Sequence, residues 1–302
     1  MAIEMKSDRL AELVDPEAEV EQVATGFTFT EGPVWNAAGG YLLFSDMPGD
    51  VRRRWSETEG TVEVRRPNNK GNGMVYDSDG NLLVCEHVTS SLVRERPDGV
   101  RETLAWHYKG KYLNSPNDVI TRSDGTIYFT DPGFGRVEHF GIPREQELSF
   151  QGVYKVAPDG GAPELVVGED DFEQPNGLCF TNDEKQLYIN DTTRSLIRAY
   201  DVAQDGSLSG GRLFFQGIGR GVIEEGIPDG MKLDERGNIW VTGPRGLWVI
   251  SPEGEHLGIV EVPENVGNIA WGGPDWKMLY IPSSTSVYRL PTKVASDHLP
   301  YH

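Results

Sequence analysis

Five stretches of the chain open on a side chain that can bind a cation or carry a proton. Glu31 begins EGPVWNAAGGYLLFSD, Asn72 begins NGMVYDSDGNLLVCE, Asn117 begins NDVITRSDGTIYFTD, Asn176 begins NGLCFTNDEKQLYIND and Asp229 begins DGMKLDERGNIWVTG. A sixth, GNIAWGGPDWKMLYIP, opens at Gly267 or Asn268; the apolar parity of Ile269 and Trp271 favours the first, turn length the second. The donors are carboxylate and amide oxygens, with no His or Cys at the shared position. That set suits a hard divalent cation: two carboxylates neutralise its charge and amide carbonyls extend the shell, as Ca²⁺ accepts and Mg²⁺ accepts in part. Zn²⁺ more usually brings in imidazole or thiolate. An isolated Asn-Gly or Asp-Gly is better read as the start of a tight turn; only the repetition at one register points to a site.

That register has meaning only if the elements bring the six openings together. Each segment reads polar, small, apolar, any, apolar, then a polar turn and a second apolar run, which is the period-two pattern of a β-hairpin. Asp79-Gly80, Asp124-Gly125 and Arg236-Gly237-Asn238 supply tight turns. Between them recur SLVRERPDG, GVYKVAPDG, SLIRAYDVAQDG, GLWVISPEG and SVYRLPT, again strands, mostly ending in acidic-Gly turns. The openings follow one another at intervals of 41, 45, 59, 53 and 38 residues. Four strands in units of about 40–50 residues are propeller blades. The expectation is an all-β, six-bladed β-propeller with four-stranded antiparallel blades. The last blade is short, so a strand within residues 19–29 is expected to supply its outer edge and close the ring, which removes two exposed sheet edges. Residues 1–18 then form an N-terminal extension with a short helix at LAELV, 19–295 the propeller and 296–302 a C-terminal tail. Equivalent residues of the innermost strands lie at one height around the central channel, so Glu31, Asn72, Asn117, Asn176 and Asp229 converge there.

Composition narrows the partners. Among 302 residues, 28 Lys and Arg face 47 Asp and Glu, a net charge of −19 that disfavours nucleic acid and anionic membranes and favours cations. No stretch approaches the roughly 18 apolar residues of a membrane span. The opening MAIEMKSDRLAELVDPEAEVEQ has no apolar core of a signal peptide, so a cytoplasmic protein is expected. Cys85 and Cys179 fit no metal or redox spacing and read as packing residues. GxSxG, HExxH, Walker A and helix-opening GxGxxG are all missing, which excludes serine esterases, zincins, NTPases and dinucleotide enzymes.

NSPNDVITRSDGTIYFTDPGFG, together with EGPVW, QPNGLCFT, IPDGM and the closing NIAWGG and LYIPSSTSVYRL, resembles the gluconolactonase family. That family also holds senescence marker protein, the luciferin-regenerating enzyme and, more distantly, diisopropyl fluorophosphatase. The resemblance runs from about Glu31 to Leu290. It implies a six-bladed propeller hydrolysing small-molecule lactones with one divalent ion in the channel, usually Ca²⁺, with Mg²⁺, Mn²⁺ or Zn²⁺ as other candidates. The family's metal ligands match Glu31, Asn176 and Asp229, with Asn117 at the position that serves metal or substrate. Asp229 would also be the catalytic acid/base. Animal members carry Arg where this chain has Ser115, so the sugar-binding contact there differs.

Around these, Asn72 shares the register, and His87 in CEHVTSS is placed by the resemblance near the channel mouth; both are candidate substrate contacts, as are Asn117 and Ser115. The segment GFGRVEHFGIPREQELSF, residues 133–150, is too long for a blade turn and reads as a flap over the channel, with Arg136 and His139 in it. The leading functional reading is a metal-dependent lactonase, with Asp229 acting as base or by direct attack. The other two readings are a phosphotriester hydrolase using the same ion, and a non-enzymatic propeller with a structural metal.

Overall fold

The strands alternate small or polar residues with apolar ones, but their apolar residues face both ways, because each sheet is sandwiched between two others. In Ile127–Asp131, Ile127 and Phe129 pack toward one neighbour while Tyr128 packs toward the other. In Gln186–Asp191, Leu187 and Ile189 point one way and Tyr188 the other. The computed structural model describes residues 3–296 and turns this pattern into six radial blades, with an apolar cluster between each blade and the next.

Blade 1 comprises Thr30–Asn36, Tyr41–Asp46, Val51–Ser56 and Gly60–Arg65, counted from the channel outward. Blade 2 runs from Gly71–Tyr76 through Leu82–Glu86 and Ser91–Glu95 to Arg101–Ala105. A small hairpin, His107–Tyr108 with Lys111–Tyr112, precedes blade 3. Blade 3 has Val119–Thr121, Ile127–Asp131, Gly152–Val156 and Glu164–Leu165, and blade 4 has Pro175–Phe180, Gln186–Asp191, Leu196–Val202 and Leu208–Gln216. Blade 5 begins with Met231–Leu233, Ile239–Gly243, Gly246–Ile250 and His256–Glu261. Blade 6 has Ala270–Gly272, Met278–Ser283 and Ser286–Pro291, and Glu21–Thr25 is its outermost strand. The ring therefore closes through the N-terminal strand, as the repeat count requires. Hairpin turns follow the sequence signals: Asp77 Oδ1 accepts the Asp79 and Asn81 amides at 3.0 and 2.9 Å, and Asp234 repeats the arrangement in blade 5.

The N-terminal region differs from its expected form. Ile3–Met5 pairs antiparallel with Gly258–Val260 as a fifth strand of blade 5, and the expected helix is one 3₁₀ segment, Asp8–Glu12. Pro16 follows closely, leaving too few residues for a self-supporting α-helix, whereas the blade edge offers ready hydrogen bonds. Leu10 and Val14 are fully buried in the cluster between blades 5 and 6. Of the expected 296–302 tail, Ser296 bridges to Asp234 and the remainder lies outside the described residues. Cys85 and Cys179 are buried in interblade clusters. No helix among the described residues is long and apolar enough to cross a membrane.

Neighbouring blades are also stitched along the channel. Gly73, Gly177 and Gly230 donate their amides to the carbonyls of Asn117, Asp229 and Gly267, each the opening residue of the next blade, at 2.8, 3.0 and 2.9 Å. These approaches leave no room for a side chain: a Cβ on Gly177 would overlap the Asp229 carbonyl oxygen. Gly177→Ala is therefore expected to destabilise the protein by about 1–3 kcal/mol in urea unfolding. A change below about 0.5 kcal/mol would mean that the Asp229 backbone yields freely.

Candidate active site

The innermost strands of blades 1, 2 and 4 carry register irregularities between Glu31 and Val34, Gly71 and Met74, and Pro175 and Leu178. Such bulges re-aim side chains at the end of a strand. Here they coincide with the opening residues, and Glu31, Asn72, Asn117, Asn176 and Asp229 all line one cavity at the channel end. The cavity gives water-sized spheres about 80 Å³ of room. The sixth blade resolves the register: Gly267 accepts the ring hydrogen bond and occupies the equivalent position. Asn268, one residue on, sends its side-chain amide to Glu31 Oε2 at 3.2 Å.

Each donor is held by its surroundings. Glu31 Oε2 also accepts the Gly32 amide at 2.5 Å. Asn176 donates Nδ2 to Thr192 Oγ1 at 3.0 Å, and Thr192 donates to the Pro228 carbonyl at 2.7 Å, which leaves Asn176 Oδ1 buried without a partner. Asn72 Oδ1 is buried and unpartnered too. The Asp229 backbone is fixed from three directions: its amide donates to Thr242 Oγ1 at 2.7 Å, and its carbonyl accepts from Asn190 Nδ2 at 2.6 Å and Gly177 N at 3.0 Å.

The electrostatics are those of anions in a space lacking counter-charge. Burial, with Asp118 nearby, pushes the Glu31 carboxyl up to about 7. Asp229, partly accessible from the cavity, is raised well above the usual carboxylate range by desolvation and then by Glu31 and Asp118; contact with the Asn176 amide offsets part of the rise. Lys232 Nζ lies 3.8 Å from Asp118 Oδ2 and brings a cation near this group. Among the described residues no three His, Cys, Asp or Glu side chains cluster as a metal site by themselves. Two carboxylates with the orphaned Asn176 oxygen and Asn117 beside them nonetheless fit a hard divalent cation, because amide oxygens supply what a third acid would.

Residues 29–285 match the SMP-30/Gluconolactonase/LRE-like region. The chain belongs to that family. It is 30% identical to a gluconolactonase of Zymomonas mobilis subsp. mobilis across 95% of this chain and 85% of that protein. Identity to pentonolactonase XacC of Haloferax volcanii is 28%, over 86% and 82% of the two chains. A solved gluconolactonase structure from Xanthomonas campestris aligns with a TM-score of 0.86 at 31% identity, covering 96% of this chain and 94% of that one. The gluconolactonase-like relatives thus span nearly the whole propeller, cavity included.

His87 also lines the cavity, fully buried. Its Nδ1 pairs with the Phe140 carbonyl at 2.9 Å and so carries the proton, leaving Nε2 as an acceptor 3.5 Å from Asn72 Nδ2. Ser115 is placed elsewhere. It donates Oγ–H to the Pro132 carbonyl at 2.5 Å and accepts the Gly135 amide at 2.9 Å, so its hydroxyl is committed to the 133–150 segment and it does not line the cavity. That segment lies against the site, with Phe134 and Phe140 in the cavity wall and Gly135 packed on His87 and Ser115. Arg136 donates to the Leu113 carbonyl and His139 receives Lys70 on its carbonyl, so neither side chain lines the cavity.

The sequence reading missed Asp118, Thr192 and the apolar wall of Phe29, Met47, Phe134, Phe140, Ile223 and Ile227. Asp118 carried a signal, since it stands where blades 1, 2, 4 and 5 have glycine. The wall residues come from connecting loops, outside any repeat.

Burial, reinforced by Arg136 and Lys70, lowers the His87 pKa from 6.5 to about 4, against the opposing Phe140 hydrogen bond. The folded protein therefore binds this proton less readily than the unfolded chain. The stability so contributed is complete above pH 6.5 and is lost as pH falls toward 4. Imidazole nitrogen shifts followed by NMR should show His87 neutral at pH 5.5; a midpoint near 6.5 would contradict the buried, acceptor-only Nε2.

Proposed function

We propose that the protein is a metal-dependent lactonase that opens a sugar or related lactone at the cavity described above. The observation that carries this is the pairing of Glu31 with Asp229 beside the unpartnered Asn176 oxygen, in a chain whose relatives are gluconolactonase-like over almost all its length. Glu31, Asn176 and Asp229 would hold the ion, with Asn117 adjoining. Bound there, a divalent cation supplies polarisation of a carbonyl oxygen and offsets the two negative charges.

The chain's own groups account for the rest. Asp229 is accessible from the cavity while its backbone is clamped by Thr242, Asn190 and Gly177, so its carboxylate can accept a proton without drifting. It takes that proton from the attacking water as the water oxygen bonds to the carbonyl carbon. It returns the proton to the ring oxygen as the ring C–O bond breaks, giving a hydroxy acid. Asn72 Oδ1 is left as an acceptor for the substrate's polar groups, while neutral His87 accepts the Asn72 amide on Nε2 and so turns that oxygen free. Thr192 keeps the Asn176 oxygen turned inward, and Asn268 holds Glu31 from the blade lacking a ring side chain of its own.

Two expected outcomes test this. Adding Ca²⁺ to metal-free protein should raise stability by about 2.7 kcal/mol at one hundred times the dissociation constant, and Asn176→Ala should shrink the rise at the same concentration. An identical rise in the variant would remove Asn176 from the ion. Asp229→Asn, assayed at saturating ion with occupancy measured, should lose about 10²–10⁴-fold in kcat on a δ-lactone while still binding the ion. Near-normal turnover would place the base elsewhere. A phosphotriester run alongside should be turned over much more slowly than the lactone.

A further inference from the structure

We infer that the substrate is a lactone with an apolar substituent, a hydroxyl-poor alkyl- or aryl-bearing ring ester in place of a polyhydroxylated aldonolactone; this rests on the lactonase reading above. Over the polar floor formed by the ring, the cavity wall consists of Phe29, Met47, Phe134, Phe140, Ile223 and Ile227. A polyhydroxylated ring would bring several hydroxyls against this wall, and each one stripped of water without a partner weakens binding by about tenfold. The floor offers few partners beyond those that face the reacting ester: Asn72, Asn117 and His87.

The cations that could have served a sugar are employed outside the cavity. Lys70 Nζ donates to the carbonyls of Glu138, His139 and Gly141 at 2.5, 3.3 and 3.1 Å. Arg136 is used by the Leu113 carbonyl, and Arg144 Nη2 donates to Ser90 Oγ at 2.6 Å. They hold the 133–150 segment in place, and what that segment shows the cavity is two phenyl rings. Opposite it, Ile223 is 60% exposed, on a 3₁₀ turn, Ile223–Glu225, that places it in the cavity wall. With Val222 beside it 37% exposed, it forms an apolar edge at the cavity for a ligand to cover.

The test uses the metal-loaded full chain and compares kcat/KM for δ-gluconolactone, δ-valerolactone and δ-lactones bearing alkyl chains of one, three and five carbons. The expected series rises about fourfold per methylene until the wall is covered, and the five-carbon lactone exceeds δ-gluconolactone by at least about tenfold. Ile223→Ser combined with Ile227→Ser, both at partly exposed positions and so compatible with folding, should flatten the rise. A flat series with δ-gluconolactone preferred overturns the inference and leaves the lactonase reading standing. A rise that the double variant leaves untouched overturns the assignment to this wall. Hydrolysis of no lactone with the ion bound overturns the lactonase reading and this inference with it.

Discussion

Two carboxylates at one level of a closed ring are the constraint around which the site is organised. Glu31 and Asp229 belong to blades 1 and 5, far apart in sequence, and closure of the propeller forces them into one small cavity. Like charges so placed must be neutralised, protonated or kept hydrated. The surroundings show how the chain manages this: the Gly32 amide and the Asn268 side chain donate to Glu31, Lys232 lies beside Asp118, and the remaining ring side chains are neutral amides. The glycines beside the opening residues follow from the same constraint. Blades can approach closely enough to hydrogen-bond around the channel only where no side chain intervenes.

The polar floor and the apolar wall of the cavity have separate structural origins. Floor residues sit at or just before the start of the innermost strands, and their spacing is set by the blade geometry. Wall residues sit on connections, before blade 1 and after its second strand, after the second strand of blade 3 and before blade 5, which can change without disturbing the sheets. The cationic clamps on the 133–150 segment hold it against His87 and Ser115 instead of pointing at substrate. One scaffold can therefore keep its polar floor while the loops above it vary.

The same division explains what could be read from sequence. Repetition made the blades, the ring closure and the register of Glu31, Asn72, Asn117, Asn176 and Asp229 legible, because each hairpin repeats one grammar. Gly267 and Asn268 could not be separated until the backbone hydrogen bond from Gly230 selected the glycine. Ser115 misled because position in a motif says nothing of which neighbour claims a hydroxyl; here a loop some twenty residues on does so. The apolar wall leaves no mark in the sequence because it has no period, and LAELV suggests a helix because it satisfies helical spacing as readily as it fills an interblade gap.

The N-terminal segment bridges two blades: Ile3–Met5 completes blade 5 and Glu21–Thr25 completes blade 6. Both strands precede their partners, Gly258–Val260 and Ser286–Arg289, by most of the ring. At about 5–20 residues per second, the nascent chain carries two unpaired strands for tens of seconds. During that interval blades 1 to 4 can form as an open crescent, but the channel has no wall on one side and the ring of opening residues lacks Asp229. The order of synthesis thus withholds the assembled site until blades 5 and 6 have been made, and the two early strands serve as the clasp.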